Sequence, residues 1–343
     1  MELTEILEMC KDNINVVDAF TKANSIINNP KYESALCSIS GGADSDIMLD
    51  LLTKIDKDHK ITYIWFNTGL EYQATKDHLD YLENRYDVEI VRERAIKPIP
   101  QCCQEIGVPF LSKRVSDMIQ CLQENDFKWE DKPFDELYKE YPNCRSALRW
   151  WCNDWNGKHV QEYGYSMFNI NYNTGLKEFI IQNPPTFKIS AKCCDWAKKK
   201  VSKAYIKKHK VDLSIIGVRK AEGGARSSAY KNCFDPKNSH HNYDNYRPIF
   251  WFTEQDKIYY DKKFNIVHSD CYCKWGFKRT GCVGCPYNRR IQDEIDVVKE
   301  QEPNMYKAIN NIFRESYEYT RKYREFQKQR KFDKKHKNIK RLF

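Results

Sequence analysis

The sequence has no long apolar run: none approaches the ~18 consecutive residues that mark a membrane-spanning helix. It opens MELTEILEMCKDN, without an apolar signal segment, so neither a membrane protein nor a secreted disulfide scaffold is expected, and a cytoplasmic setting is. Net charge is also scarce over most of the chain. The formal excess of +9 is matched by segment 321–343 alone, where eleven Lys/Arg face only Glu325 and Asp333, so the preceding residues are formally neutral. The basic character is a tail, either a solvated helix end or a surface for nucleic acid or an acidic partner protein. No cysteine follows Cys285, yet the chain holds fourteen. At such density in a reducing compartment, cysteines point to metal or sulfur chemistry. With 343 residues and 41% apolar content, the chain can build one large α/β domain with an insertion, or two domains.

The stretch ALCSISGGADSDIMLDLL, Ala35 to Leu52, organises the rest. Ala35–Ile39 reads as a buried strand, and Ile47, Met48, Leu51 and Leu52 recur at helical spacing. Between them, Gly41 and Gly42 let backbone N–H groups approach an anion, while Ser40, Asp44 and Ser45 add side-chain contacts and cap the helix. A phosphate would meet a helix N-terminus. The Walker pattern is absent, since the second glycine and the Lys-Ser/Thr pair are missing. An ordinary glycine turn is the alternative, but further motifs follow. SGGADS resembles the PP-loop, SGGxDS, of the adenine nucleotide alpha hydrolases, a superfamily that includes ATP pyrophosphatases, thiolation enzymes and adenylylsulfate reductases.

Before the loop, residues 1–29 read as one or two helices with Ile6, Val16, Val17, Phe20 and Ile26 inward. After it, ITYIWF (Ile61–Phe66) is a second buried strand ending in Asn67-Thr68-Gly69. Strand, helix, strand implies a right-handed crossover and a parallel sheet, whose ligands bind at the carboxyl ends of the strands. A helix over 72–86 and a strand over 88–91 continue the alternation. The expected fold is α/β: a parallel, doubly wound, Rossmann-like sheet with a helical insertion and a helical basic tail. Its expected divisions are N-terminal helices (1–30), a first core segment (31–114), an aromatic-rich helical insertion (115–186), a second core segment (187–290) and a C-terminal extension (291–343). In the insertion, Trp129, Phe134, Tyr138, Trp150, Trp151 and Trp155 are expected to form core more readily than a base-stacking platform.

Three further segments resemble the phosphoadenylylsulfate (PAPS) reductase family. FNTGLEYQAT matches the strand end that normally reads Asp-Thr-Gly, with Asn67 in place of Asp. GVRKAEGGARSS resembles the Gly-x-Arg-x-x-x-Ser-x-x-Arg segment, where Arg219 and Arg226 match the anion-holding arginines and Gly223 or Gly224 falls near the Ser. GFKRTGCVGCP matches the Gly-Phe-x-Arg-x-Gly-Cys-x-x-Cys-Pro pattern at Gly276, Phe277, Arg279, Gly281, Cys282, Cys285 and Pro286. Upstream of it, Thr253 and Asp256 make a capping-box start.

The resemblance implies a nucleotide site made of Ser38, Ser40, Gly41, Gly42, Ala43, Asp44, Ser45, Asn67, Thr68, Gly69, Gly217 and Arg219. Asp44, Arg219 and Arg226 are the candidate catalytic residues, and Lys113, Lys220 and Arg279 would face substrate. Cys193-Cys194 followed by Cys282-x-x-Cys285 resembles the set that ligates a [4Fe–4S] cluster in adenylylsulfate reductases and related sulfur-transfer enzymes, with structural zinc as the rival. Cys193 and Cys194 lie near a helix start with lysines following, which would favour thiolates. Cys271 and Cys273 are left over, either as sulfur carriers or as packing residues, and Cys102-Cys103 is expected to be structural or redox-silent.

The reductase nucleophile, a C-terminal cysteine, is missing, while the loop is intact as in ATP pyrophosphatases. The expected reading is therefore an ATP- and Mg2+-dependent enzyme that adenylates an acceptor for sulfur transfer. Nucleic acid is a candidate acceptor, and a sulfur-donor protein such as a cysteine desulfurase a candidate partner. The alternatives are a reductase of PAPS or adenylylsulfate using Cys271, Cys273 or a partner's thiol, and a non-enzymatic nucleotide or cluster sensor.

Overall fold

The computed structural model describes residues 2–164, 166–223, 229–239 and 241–339, with the side chains of 159 and 334–339 excepted. The chain forms two compact units: residues 1–98 with 197–283, and residues 99–196 with 284–343.

The first unit holds a six-stranded sheet. Its strands are β1 (Ala35–Ser38), β2 (Ile61–Asn67), β3 (Ile90–Arg94), β4 (Leu213–Ile216), β5 (Phe234–Asp235) and β6 (Asp244–Tyr246), in the order β3-β2-β1-β4-β6-β5. All neighbours are parallel except β5 with β6. Ala35 pairs with both Ile61 and Leu213, so β1 lies at the centre.

Side chains alternate across the sheet. Ala35 and Cys37 of β1, with Ile61, Tyr63 and Trp65 of β2, join the main core, built with the helices Ile14–Ile27, Ala43–Thr53 and Glu254–Phe264. Leu36 and Ile64 point the other way, to Ile206 and Val211 beside the helix Lys200–Lys208. Two apolar faces are covered, as a doubly wound sheet requires. The parallel α/β sheet read from the sequence is therefore borne out. β5 and β6 were not anticipated: runs of two and three residues are too short to carry a periodic signal.

The second unit is helical. Trp150 and Trp151 are wholly buried in a core that also takes Phe110, Phe127, Leu137 and Phe179. Tyr319 and Tyr323 of the long helix Pro303–Ile339 enter that same core. The aromatic stripe is thus core, as its composition suggested. Among the described residues no helix is long and apolar enough to cross a membrane.

Candidate functional site

In the first unit, β1 has β2 on one side and β4 on the other, so the strand order reverses between β1 and β4. Such a reversal opens a crevice at the carboxyl ends of the strands, where α/β folds bind ligands. SGGADS leaves β1 at that point. Gly41 adopts φ +66°, a left-handed conformation open to glycine at little cost, and a Cβ there would stand 2.8 Å from Thr75 Cγ2. Gly42 caps the helix Ala43–Thr53. Ser45 is turned back onto the loop: its hydroxyl accepts the Gly42 N–H at 3.0 Å and donates to the Gly42 carbonyl at 2.8 Å. Ser40 is exposed at the turn, and Ser38 is half-buried at the end of β1. Gly217 follows β4, where a Cβ would come 3.6 Å from the Asp44 carbonyl.

Three hydroxyls surround Gly42. A Cβ there would lie 3.0 Å from Tyr272 Oη and 3.3 Å from both Ser40 Oγ and Thr280 Oγ1. The Tyr272 oxygen accepts the Thr280 N–H at 3.2 Å, lies 3.0 Å from the Thr280 hydroxyl and accepts the N–H of Ala43. Burial raises the Tyr272 pKa, so the phenol stays protonated at neutral pH. Backbone donors at a helix start and convergent hydroxyls make a cradle suited to phosphate oxygens.

Arg219 is buried beside the loop. Its Nε donates to Asp44 at 3.0 Å, and its terminal nitrogens reach Glu254 at 2.6 Å and the Phe252 carbonyl at 3.4 Å. Burial opposes its charge, but Asp44 and Glu254 outweigh that and raise its pKa. Lys257 binds the other oxygen of Asp44 at 2.8 Å. Lys220 is exposed over the Trp251 ring, and Arg279 is exposed. Arg226 and Gly224 lie outside the described residues.

A second buried cluster fixes the helix that carries the loop. Asp46 is fully buried, with His268 Nδ1 at 2.8 Å and His78 Nε2 at 3.1 Å. His268 reaches Asp261 at 3.3 Å through its other nitrogen. Burial alone would lower the His268 pKa, but Asp261 and Asp46 raise it to about 9. This cluster ties Ala43–Thr53 to the helices Gln73–Tyr86 and Glu254–Phe264.

At the end of β2, Asn67 accepts the Gly69 N–H at 2.9 Å. Thr68 is buried, its hydroxyl donating to Glu71 at 2.5 Å and lying 3.8 Å from the Cys282 sulfur. Desolvation raises the Glu71 pKa. The next residue after Cys282, Val283, donates its N–H to the Leu70 carbonyl at 3.1 Å. Cys271 is fully buried, whereas Cys273 is exposed and donates to the His268 carbonyl at 3.3 Å.

In the second unit, Cys193 and Cys194 lie on the helical turn Lys192–Cys194. Cys193 is hydrogen-bonded to Cys103 and Cys194, and it also feels the charge of Cys285. Tyr287 is influenced by Cys193, Cys194 and Cys285 together. Cys103, expected to be structural or redox-silent, contacts Cys193. The Cys193 thiol is not eased toward thiolate: its bond to Cys103, its burial and the nearby Cys285 push it up. The turn runs on without a break into the helical stretches Asp195–Lys199 and Lys200–Lys208. Lys113, also of this unit, is exposed at the start of the helix Lys113–Gln123. Among the described residues no group of three or more His, Cys, Asp or Glu has the arrangement of a closed metal site. In kind, thiols such as Cys193 and Cys194 are the soft donors that an iron–sulfur group takes.

A family model described as the phosphoadenosine phosphosulfate reductase domain matches residues 34–123 and 161–288. The chain belongs to the PAPS reductase domain family. The matched stretches contain the loop, both arginine positions, Cys103 and all four cysteines of the Cys-Cys and Cys-x-x-Cys motifs. An uncharacterized protein of Methanocaldococcus jannaschii is 23% identical over 317 residues, covering 90% of this chain and 48% of its own length. The chain therefore spans about half of that relative. Among solved structures, a PAPS reductase from Candida auris in its phosphate complex aligns with TM-score 0.38 and 10% identity, over 75% of this chain and 84% of its own. A U34-tRNA thiolase from Methanococcus maripaludis with its [4Fe-4S] cluster aligns with TM-score 0.37 and 14% identity, over 91% and 79%.

Within this PAPS reductase-family chain, sequence reasoning missed Tyr272, Thr280, Lys257, the Asp46–His78–His268–Asp261 cluster and the contact of Cys103 with Cys193. Thr280 sits inside the GFKRTGC motif and Lys257 directly follows the capping-box Asp256, so both had a local signal. The histidines had none, because only the fold brings them to Asp46.

Proposed function

We propose that this chain is an ATP-dependent enzyme that adenylates an acceptor and lets sulfur displace AMP. The observation that carries the reading is the intact glycine loop, closed around Gly42 by three hydroxyls and backed by the Asp44–Arg219–Lys257 ion-pair network. The N–H groups at the start of Ala43–Thr53, with Ser40, Tyr272 and Thr280, would hold nucleotide phosphates. An acceptor oxygen would attack the alpha phosphate and release pyrophosphate, with Mg2+ accompanying the phosphates. Arg219 and Lys257 would offset charge gathering on the leaving group. Arg226, by its place in the family motif, would do the same.

A [4Fe–4S] cluster, held by thiolates including Cys193, Cys194 and Cys285, with Cys282 fourth by resemblance, would supply a site that binds or delivers sulfur. Nucleic acid is the proposed acceptor, drawn by the basic tail, and a persulfide-bearing protein the proposed donor. One observation favours the reductase alternative: Cys273 is an exposed thiol near the loop-closing Tyr272.

Competition binding on anaerobically purified protein separates the two readings. ATP with Mg2+ should displace a fluorescent adenine nucleotide at lower concentration than adenylylsulfate or PAPS, and pyrophosphate should appear once an acceptor is supplied. Preference for either sulfonucleotide, with sulfite as product, would overturn the ATP reading in favour of the reductase.

A further inference from the structure

A carboxylate in the first turn of a helix competes with any anion that the helix receives at its N-terminus, because both draw on the same field. The loop helix Ala43–Thr53 carries two, Asp44 and Asp46. Asp44 is partly open to solvent and is answered by Arg219 and Lys257. Asp46 is fully buried, so salt and water screen it little. Of its two oxygens only Oδ2 is hydrogen-bonded among the described residues, and its partner is His268 Nδ1 at 2.8 Å. The charge of Asp46 reaches Tyr272, whose hydroxyl stands over Gly42 in the cradle.

His268 is held between two acids. Its Nε2 lies 3.3 Å from Asp261 on the helix Glu254–Phe264, and its ring is 6.0 Å from the Tyr272 ring, one turn further on. Cys273 donates to the His268 carbonyl and the Tyr272 N–H to the Ser269 carbonyl, so imidazole and phenol share one short, bonded segment. From the helix Gln73–Tyr86, His78 Nε2 approaches the same Asp46 oxygen at 3.1 Å, with Tyr81 stacked on its ring. The groups facing His268 are therefore Asp46, Asp261 and Tyr272, with His78 beyond Asp46 and the Cys273 thiol on its backbone. Against desolvation, Asp261 and Asp46 raise the His268 pKa to about 9.

We propose that the imidazolium of His268 is the counter-ion of Asp46 that lets the glycine loop accept nucleotide phosphates, a positioning residue that acts through Asp46 and Tyr272 without touching the ligand. The inference rests on the nucleotide-site reading above, for ATP and sulfonucleotides alike, and adds to it a residue and a pH dependence. With the proton in place, the charge of Asp46 is offset and the loop N–H groups face phosphate unopposed. Once the proton leaves, a buried negative charge lies beneath the anion site, and affinity falls as pH rises through 9. Asp44 and Glu254 keep Arg219 charged across this range, and burial keeps the Tyr272 phenol protonated, so neither accounts for such a fall.

The test measures the dissociation constant of a fluorescent adenine nucleotide with Mg2+ between about pH 7.5 and 9.5, with near-ultraviolet circular dichroism showing that each protein is folded at both ends. The parent should weaken by at least about threefold over that range. His268→Gln should bind at least about fivefold more weakly at pH 7.5 and show no further fall. Adding Asp46→Asn to that variant should recover most of the loss, because an uncharged carboxamide requires no counter-ion, whereas a role in packing alone predicts no recovery. A parent-like pH profile in His268→Gln, or a double variant as weak as the single, would overturn the proposal. Should His268→Gln fail to fold, Asp46→Asn alone decides: a flat profile supports the counter-ion, and the parent's slope overturns it. A parent that binds no adenine nucleotide brings down the nucleotide-site reading and this inference with it, whereas a parent that binds with pH-independent affinity overturns the inference alone.

Discussion

The two units hold their chemistry by opposite means. In the first, the anion cradle is largely backbone: Gly41 in a left-handed turn, a helix start at Ala43, and a serine hydrogen-bonded back onto its own loop. In the second, the cysteines 103, 193 and 194 meet through side chains drawn from distant stretches of the sequence. A backbone site is shaped before its ligand arrives. Thiols crowded together without a metal keep their protons, so a thiol site is completed by its ligand.

The largest effect should come from breaking the backbone site. Gly41→Ala imposes a left-handed conformation on an L side chain, costing about 1–2 kcal/mol, and drives its Cβ against Thr75 Cγ2. Adenine nucleotide binding should weaken by more than about tenfold, since the N–H groups no longer converge. Removing the obstructing methyl with Thr75→Ser should restore part of that binding in the double variant. Equal binding by single and double variants would show that the loop tolerates the clash.

A smaller effect concerns the buried acids and histidines under the loop helix. His268 is raised to about 9 in the folded chain, against an ordinary value near 6.5. Its proton therefore stabilises the fold fully below about pH 6.5, and that contribution is lost as pH rises through 9. The amount is on the order of 2–3 kcal/mol, read as a fall in denaturation midpoint between pH 6.5 and 9.5. His268→Gln should lower stability at pH 6 and flatten that dependence. A variant with the parent's slope would place the titration elsewhere.

The same contrast explains what could be read in advance. SGGADS, the β1–helix–β2 alternation and the Thr253–Asp256 cap are contiguous patterns, and each appears in the structure where the sequence put it. Asp46 directly follows the loop motif, but its partners His78 and His268 are 32 and 222 residues away, a separation no local pattern spans. Cys103 likewise gave no local signal of its contact with Cys193. Its partner is set instead by the close approach of Gly107 to Lys188, which depends on backbone conformation rather than composition. The long C-terminal helix also looked like an appendage, being polar along most of its length. Only every third or fourth residue of it, among them Tyr319 and Tyr323, enters the core of the second unit.

That helix carries the last and smallest prediction. Arg330 pairs with Glu178 at 2.9 Å, and Tyr323 bonds the Thr174 carbonyl at 2.9 Å, so the helix is anchored before its most basic part begins. Truncation after Asp333 removes Lys334, Lys335, Lys337, Lys340 and Arg341, leaving these anchors in place. The melting temperature should hardly move. If the tail serves nucleic acid, the dependence of log affinity on log salt should become shallower by roughly 0.7 for each lost contact to a single strand, or 0.9 to a duplex. An unchanged slope with unchanged affinity would remove nucleic acid from segment 334–343. The acceptor would then be sought near Lys220 and Arg279 of the first unit, and the tail's charge would be assigned to an acidic partner protein.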